Sequence, residues 1–216
     1  MGWNAKNTGG YYRESTEAYD NCVECWNVLG SRGWTLNAVS GLLGSQEYES
    51  AYNPWRWESD VVLPHNSPLI PSSRRHGYGL FQFTPSGKYI LDGNAQAYPE
   101  FAPNFSDQAG LPTDGIAQLK FMDEYGDYIP TRAYPLSFSQ FKVSTDTPEY
   151  LAGAWVYNYE RPASPSATIA GRREAARYWY QVLQGLPPIP PGPVPGEGKK
   201  FKFWLYGRNY TRRQRR

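Results

Sequence analysis

Glu47 and Glu49 sit two residues apart in the segment 45–54, Ser-Gln-Glu-Tyr-Glu-Ser-Ala-Tyr-Asn-Pro, at the end of a run that carries Leu36, Val39, Leu42 and Leu43 at helical spacing. Successive helix residues are about 100° apart, so the two carboxyls fall on opposite flanks of that apolar stripe. A carboxyl against apolar walls resists ionisation and holds its proton to higher pH. Such a group can act as general acid for cleavage of a glycosidic bond. The helical wheel does not choose between Glu47 and Glu49, and two solvent-facing carboxylates fit it equally. Trp55 and Trp57 follow directly and offer faces on which sugar rings stack; packing in a core is the competing use. Gln82 carries an amide that can both donate to and accept from sugar hydroxyls or N-acetyl groups, or satisfy buried backbone instead.

The elements that must position these groups are mostly helical. Apolar Ala18, Cys22, Cys25, Trp26 and Leu29 predict a helix over 15–29 with Ser15 as N-cap and Gly30 and Gly33 ending it. A second helix is predicted from the N-cap Thr35 to about Ser50, stopped by Asn53-Pro54. Further helical patterns cover 112–127, 147–158 and 166–184, the second opened by Thr147-Pro148-Glu149. Tyr78, Leu80, Phe81, Gln82 and Phe83 alternate between Gly77 and Pro85 and predict a strand over 78–83, with Gln82 sharing a face with Leu80 and Thr84. Gly77 and Gly79 permit tight turning and close approach of a substrate. Residues 1–13 read as a loose lead-in, 55–76 as irregular or hairpin, and 86–111 as largely loop. The predicted organisation is an N-terminal extension (1–14), a helical body (15–185), a Pro-rich linker (186–198) and a basic aromatic tail (199–216).

Composition narrows the classes. The 216 residues are 40% hydrophobic and 19% charged, with no apolar run long enough for a spanning helix, which excludes a helical membrane protein. The 18 Tyr and 8 Trp outnumber the 9 Phe, a bias toward rings with a polar handle that suits contact with sugars, bases or wall polymer. Cys22 and Cys25 have C-x-x-C spacing, but His65 and His76 are not spaced to complete a zinc site, and the cysteines read as buried helix residues.

Four pieces in order carry a resemblance. They are Gly33-Trp34-Thr35; Gly41-Leu42-Leu43-Gly44 with Glu49-Ser50 and Asn53-Pro54; Gly77-Tyr78-Gly79-Leu80-Phe81-Gln82-Phe83-Thr84-Pro85; and Tyr159-Glu160-Arg161-Pro162. Across about residues 15–185 the chain resembles the phage tail lysozyme family, which includes the lysozyme domains of phi29-like tail-knob proteins and belongs to the broader lysozyme-like group. The Glu-Ser, Asn-Pro and Tyr-Gly-Leu-x-Gln pieces are also similar to soluble lytic transglycosylases and goose-type lysozymes. The resemblance implies an α+β, mostly helical lysozyme-like fold with a small β-hairpin or sheet beside the catalytic helix. It implies a muramidase cutting between N-acetylmuramic acid and N-acetylglucosamine, with no metal or organic cofactor. By position it selects Glu49 rather than Glu47 as the catalytic acid. It also implies substrate contacts from Gln82, Tyr78, Gly79 and Thr84, from Tyr159 and Glu160 on a cleft wall, and from Trp55. The Asp that chicken-type lysozymes place just before this Tyr-Gly is Gly77 here, preceded by His76. Two routes stay open: water attack assisted by another acid such as Glu58 or Asp60, or attack by the sugar's own N-acetyl or 6-hydroxyl group.

The implied partner is bacterial peptidoglycan, and the implied location is a phage tail in the virion, or the host cell wall outside the cell, reached without a signal peptide. The residues from Glu197 to Arg216 carry eight cations and one acid, leaving the rest of the chain at a net charge of −5. This tail suits attachment to other phage tail or virion proteins or to wall polymer; nucleic-acid binding is the weaker expectation. The alternative to catalysis is a lysozyme-like glycan-binding or structural tail module.

Overall fold

The computed structural model describes residues 3–6, 8–60, 76–84, 89 and 113–186. Among them the chain forms α1 (Thr16–Ser31), α2 (Leu36–Glu49), a 3-10 turn (Glu58–Asp60), α3 (Thr113–Tyr125), α4 (Phe138–Lys142), α5 (Pro148–Trp155) continuing into a π-helical turn (Val156–Glu160), and α6 (Pro165–Leu183). The first N–H groups of a helix have no partner inside it. The side chains of Ser15, Thr35 and Thr147 meet that need by accepting from backbone amides: Ser15 from Ala18, Thr35 from Ala38 and Thr147 from Tyr150. All three starts agree with the sequence. α4 was not predicted; five residues are too few to show a period. A capping box holds it, Ser137 accepting from the Gln140 amide while the Gln140 side chain accepts from the Ser137 amide.

α2 is the central helix. Every residue from Ala38 to Gln46 is buried, because α5 and α6 cover two of its sides and α1 a third. Gly41 and Gly44 make that enclosure possible. A methyl group at Gly41 would lie 2.8 Å from the Leu151 Cβ, and one at Gly44 would overlap the Arg172 carbonyl on α6. Beside this crossing lies an aromatic core centred on Trp155, which stacks on Tyr159 at 4.3 Å and meets Phe141 at 5.5 Å.

Several expectations need correction. Residues 78–83 form a tight turn, not a strand. Phe83 N donates to Tyr78 O (2.9 Å) and Gln82 N to Gly79 O (3.1 Å), while Gly79 and Gln82 hold φ of 79° and 45°. Left-handed backbone at two positions reverses the chain and destroys the alternation on which a strand depends. Among the described residues the implied small sheet is reduced to two isolated antiparallel bridges, Trp57 with Tyr78 and Tyr78 with Phe83. The described part of the lead-in is not loose. Trp3 is buried over Gly115, the Asn4 amide donates to Asn21 Oδ1, and Asn53 Nδ2 donates to the Lys6 and Gly9 carbonyls. The Pro-rich linker, the basic tail, His65 and most of 86–111 lie outside the described residues.

Cys22 and Cys25 are buried free thiols on α1, and burial pushes both thiols up from their ordinary range. A reactive thiol needs the opposite setting, so the C-x-x-C spacing is structural. No helix among the described residues is long and apolar enough to cross a membrane.

Candidate active site

A groove of about 890 Å³ opens where α2 ends. Tyr48 and Glu49 form one side with residues 159–162 at and just after the end of the π turn; residues 56–59 and 81–84 form another; Phe121 and Tyr125 of α3, with Gly126 and Asp127 just after it, close it. Each wall has a local cause. α2 stops at Glu49 because Ser50 caps it and Ala51 and Tyr52 take left-handed backbone, φ 45° and 61°, turning the chain away. The π turn is fixed by Arg161 N donating to Val156 O at 2.8 Å, five residues back. One extra residue in the turn re-aims the side chains that follow, a device common at functional sites. Asn158, wholly buried in it, accepts from the Thr131 amide and donates to Tyr134 O, pinning the 128–134 loop.

Glu47 and Glu49 differ in their partners and in what they face. Glu47 receives two hydrogen bonds from Arg13, both 2.7 Å, and one from the Tyr52 hydroxyl, and it does not reach the groove. Glu49 lines the groove with its side chain 25% exposed, and its Oε1 accepts from Arg172 Nη2 at 2.6 Å. The same Nη2 lies 2.9 Å from Glu160 Oε2. Arg172 is 5% exposed and Glu160 8%. Burial pushes the Glu160 carboxyl up to about 7, the negative charge of Glu49 adds to the rise, and Arg172 opposes it. Arg172 was missed from the sequence, although a signal exists: it starts the stripe Arg172, Ala175, Ala176, Trp179, Leu183, all buried. A cation on an apolar stripe needs an anion to meet it.

The remaining sequence candidates divide. Gln82, Thr84, Glu58, Tyr159 and Glu160 line the groove. Gln82 spends its amide N–H groups on its own turn, donating to Arg56 O (3.1 Å) and Gly79 O (3.0 Å). Its amide oxygen lies beside Gly77. Glu58 is half exposed, accepts from the Gly77 amide at 2.8 Å, and stands 3.9 Å from His76 Nδ1. The side chain of Asp60 is outside the described residues. Tyr78, Gly79 and Trp55 do not line this groove. Tyr78 is 1% exposed and donates to Asp114 Oδ2 at 2.7 Å; Trp55 is 5% exposed. Gly79 lies against Gln118, whose Oε1 accepts from the Leu80 amide and whose Nε2 donates to Pro54 O, both at 2.7 Å. These three hold the wall up instead of presenting it. The exposed rings at the groove are Tyr48 and Tyr125, each 46% exposed, which the sequence did not single out. No group of His, Cys, Asp and Glu side chains suited to a metal ion occurs among the described residues.

Known proteins give this geometry a family. A profile described as phage tail lysozyme matches residues 20–183, which includes α2, the 78–83 turn, the π turn and α6. Morphogenesis protein 1 of Bacillus phage B103 is 32% identical over 179 residues, covering 81% of this chain. The chain spans 42% of that relative's length. With its central glycine-crossed helix ending at a groove, and a profile match over most of its length, the chain belongs to the phage tail lysozyme family.

Proposed function

We propose that the protein is a peptidoglycan muramidase of the phage tail, in which Glu49 donates a proton to the oxygen bridging N-acetylmuramic acid and N-acetylglucosamine. One observation carries this: of the two carboxylates at the end of α2, only Glu49 faces the groove. Its setting suits the task, since a carboxyl at the wall of an 890 Å³ groove can touch a glycan while remaining part of a buried hydrogen-bonded unit. Tyr48 and Tyr125 offer sugar-stacking faces, and the Gln82 amide oxygen accepts from a hydroxyl or an N-acetyl N–H. The relative's name, Morphogenesis protein 1, fits a virion component. In that setting the enzyme opens the wall locally, at the host surface. The 199–216 tail would contact other virion proteins.

The nucleophile is water or the sugar's own 6-hydroxyl or N-acetyl group. Glu58, a half-exposed carboxylate of the groove lining, is the group to activate water, since Asp127 in the same lining is held by Arg161. The test is clearing of purified cell walls by the parent protein and by Glu49→Gln at equal concentration, with matched far-UV circular dichroism. Loss of clearing with retained wall binding is expected, by at least about two orders of magnitude for removal of a general acid. Wall binding without any clearing by the parent itself would make the domain a glycan-binding tail module instead.

A further inference from the structure

The family assignment and the choice of Glu49 leave two buried charged groups without a role. Arg172 comes from α6, 123 residues beyond Glu49, and reaches two carboxyls with one nitrogen. Its position is enforced. Its own carbonyl packs where Gly44 has no side chain, and its guanidinium carbon lies 4.9 Å above the Tyr48 ring. Glu160 is placed by the π turn and by the left-handed Arg161 (φ 50°) that ends it. A solvent-exposed ion pair would not need such fixing. A buried cation matched to two anions leaves one negative charge over, and the inexpensive way to remove it in a low dielectric is to bind one proton.

We propose that Glu160 is a positioning residue for the catalytic proton: it stores that proton beside Glu49, the two carboxyls sharing one Arg172 nitrogen at 2.6 and 2.9 Å, and hands it to Glu49, while Arg172 balances the charge left behind. This rests on Glu49 being the acid. Glu160 takes the proton because it is the more buried member, and Glu49 delivers it because it is the more exposed one. The balance is complete without another reactant. The C1–oxygen bond breaks as the bridging oxygen receives the proton, a bond from C1 to the nucleophile's oxygen forms, and that nucleophile's own proton returns to the pair. The elevated proton affinity of Glu160 agrees with the geometry.

Other ionisable groups nearby do not displace this role. On the π turn, the Tyr159 hydroxyl is pushed up by burial and stays neutral. Arg161 is held by Asp127 at 2.6 Å. On α2, Ser45 is buried beside this pair and carries no charge. On α6, Arg173 donates to the Tyr134 hydroxyl at 2.9 Å. Arg56, Glu58 and Asp127 complete the charged groups of the groove lining.

The test is the pH profile of kcat/KM on solubilised glycan strands for the full chain and its Glu160→Gln, Arg172→Gln and Glu49→Gln variants. Removing the Glu160 charge leaves Arg172 facing Glu49 alone, so the alkaline limb moves down by about 1 to 3 pH units. Removing the Arg172 charge moves the limb up. In acid the Glu160→Gln rate approaches the parent's. If Glu160 only contacts sugar, KM rises and neither limb moves, which overturns the proposal. Activity persisting in Glu49→Gln defeats the underlying assignment instead, so the two failures are distinguishable. Should a variant not fold, carbon-13 NMR of the glutamate carboxyls in the parent decides: two carboxyls with shared, biphasic titration are expected, and independent titration of Glu49 and Glu160 refutes the idea.

Discussion

Asp114, at the start of α3, is fully enclosed beneath the groove wall, where it accepts from the hydroxyls of Tyr78 (2.7 Å) and Tyr89 (2.9 Å). Burial pushes its carboxyl up from 3.8 to about 6, while the hydrogen bonds from Tyr78, Gln118 and Tyr89 pull it back only in part. A rise of that size corresponds to about 3 kcal/mol between the two protonation states. The folded-state value lies above the unfolded one, so this group's stabilising contribution is full below about pH 4 and is lost as pH rises through about 6. Asp114→Asn keeps the shape and a carbonyl acceptor but cannot titrate. Between about pH 7.5 and pH 4.5 the parent should therefore gain about 2 kcal/mol on the variant. For a chain of this size that is roughly 4–8 °C in relative Tm. Paired thermal melts across the pH range measure it, and every other titrating group cancels in the difference. A Tm difference that stays constant across this interval would show that Asp114 ionises as an ordinary surface carboxylate and would refute the reasoning.

Other perturbations have equally definite outcomes. Gln118→Leu strands the Leu80 amide and the Pro54 carbonyl in a buried site; the expected loss is about 2–6 kcal/mol, read by chemical denaturation, and an unchanged midpoint would contradict the clamp. Glu47→Gln should clear walls at the parent rate below its melting range while losing about 1–3 kcal/mol of stability with the Arg13 contacts. Inactivity in a folded Glu47→Gln protein would reverse the choice between the two carboxylates. Gly44→Ala forces α2 and α6 apart at the Arg172 carbonyl. It should cost about 1–3 kcal/mol and slow wall clearing as well, since the same displacement moves Arg172. Calorimetry and the clearing rate check both parts.

What was legible in the sequence was what nearest neighbours decide. Ser15, Thr35 and Thr147 announce their helices because a cap acts within three residues, and Gly41 and Gly44 sit on the buried α2 stripe. The family resemblance was legible too, through short pieces in a fixed order. Partners distant in the chain were not. Whether Glu47 or Glu49 faces the groove depends on Arg13 and on Arg172, and no helical wheel contains either. The 78–83 segment alternates like a strand, yet Gly79 and Gln82 adopt left-handed backbone because Gln118 and Arg56 hold the turn from outside. The family motif says nothing of where the Tyr78 hydroxyl goes; Asp114, 36 residues on, takes it inward. Glu160 could be placed on the cleft wall from its motif, but its pairing with Glu49 through Arg172 emerges only once α2, the π turn and α6 meet.

The most direct measurement is mass spectrometry of the soluble fragments released from purified peptidoglycan by the parent and by Glu49→Gln. Fragments ending in N-acetylmuramic acid, as reducing or 1,6-anhydro sugars, are expected from the parent, with none above background from the variant. Release of the same fragments by Glu49→Gln, or parent fragments cut only within the stem peptides, would contradict a glycosidase built on Glu49.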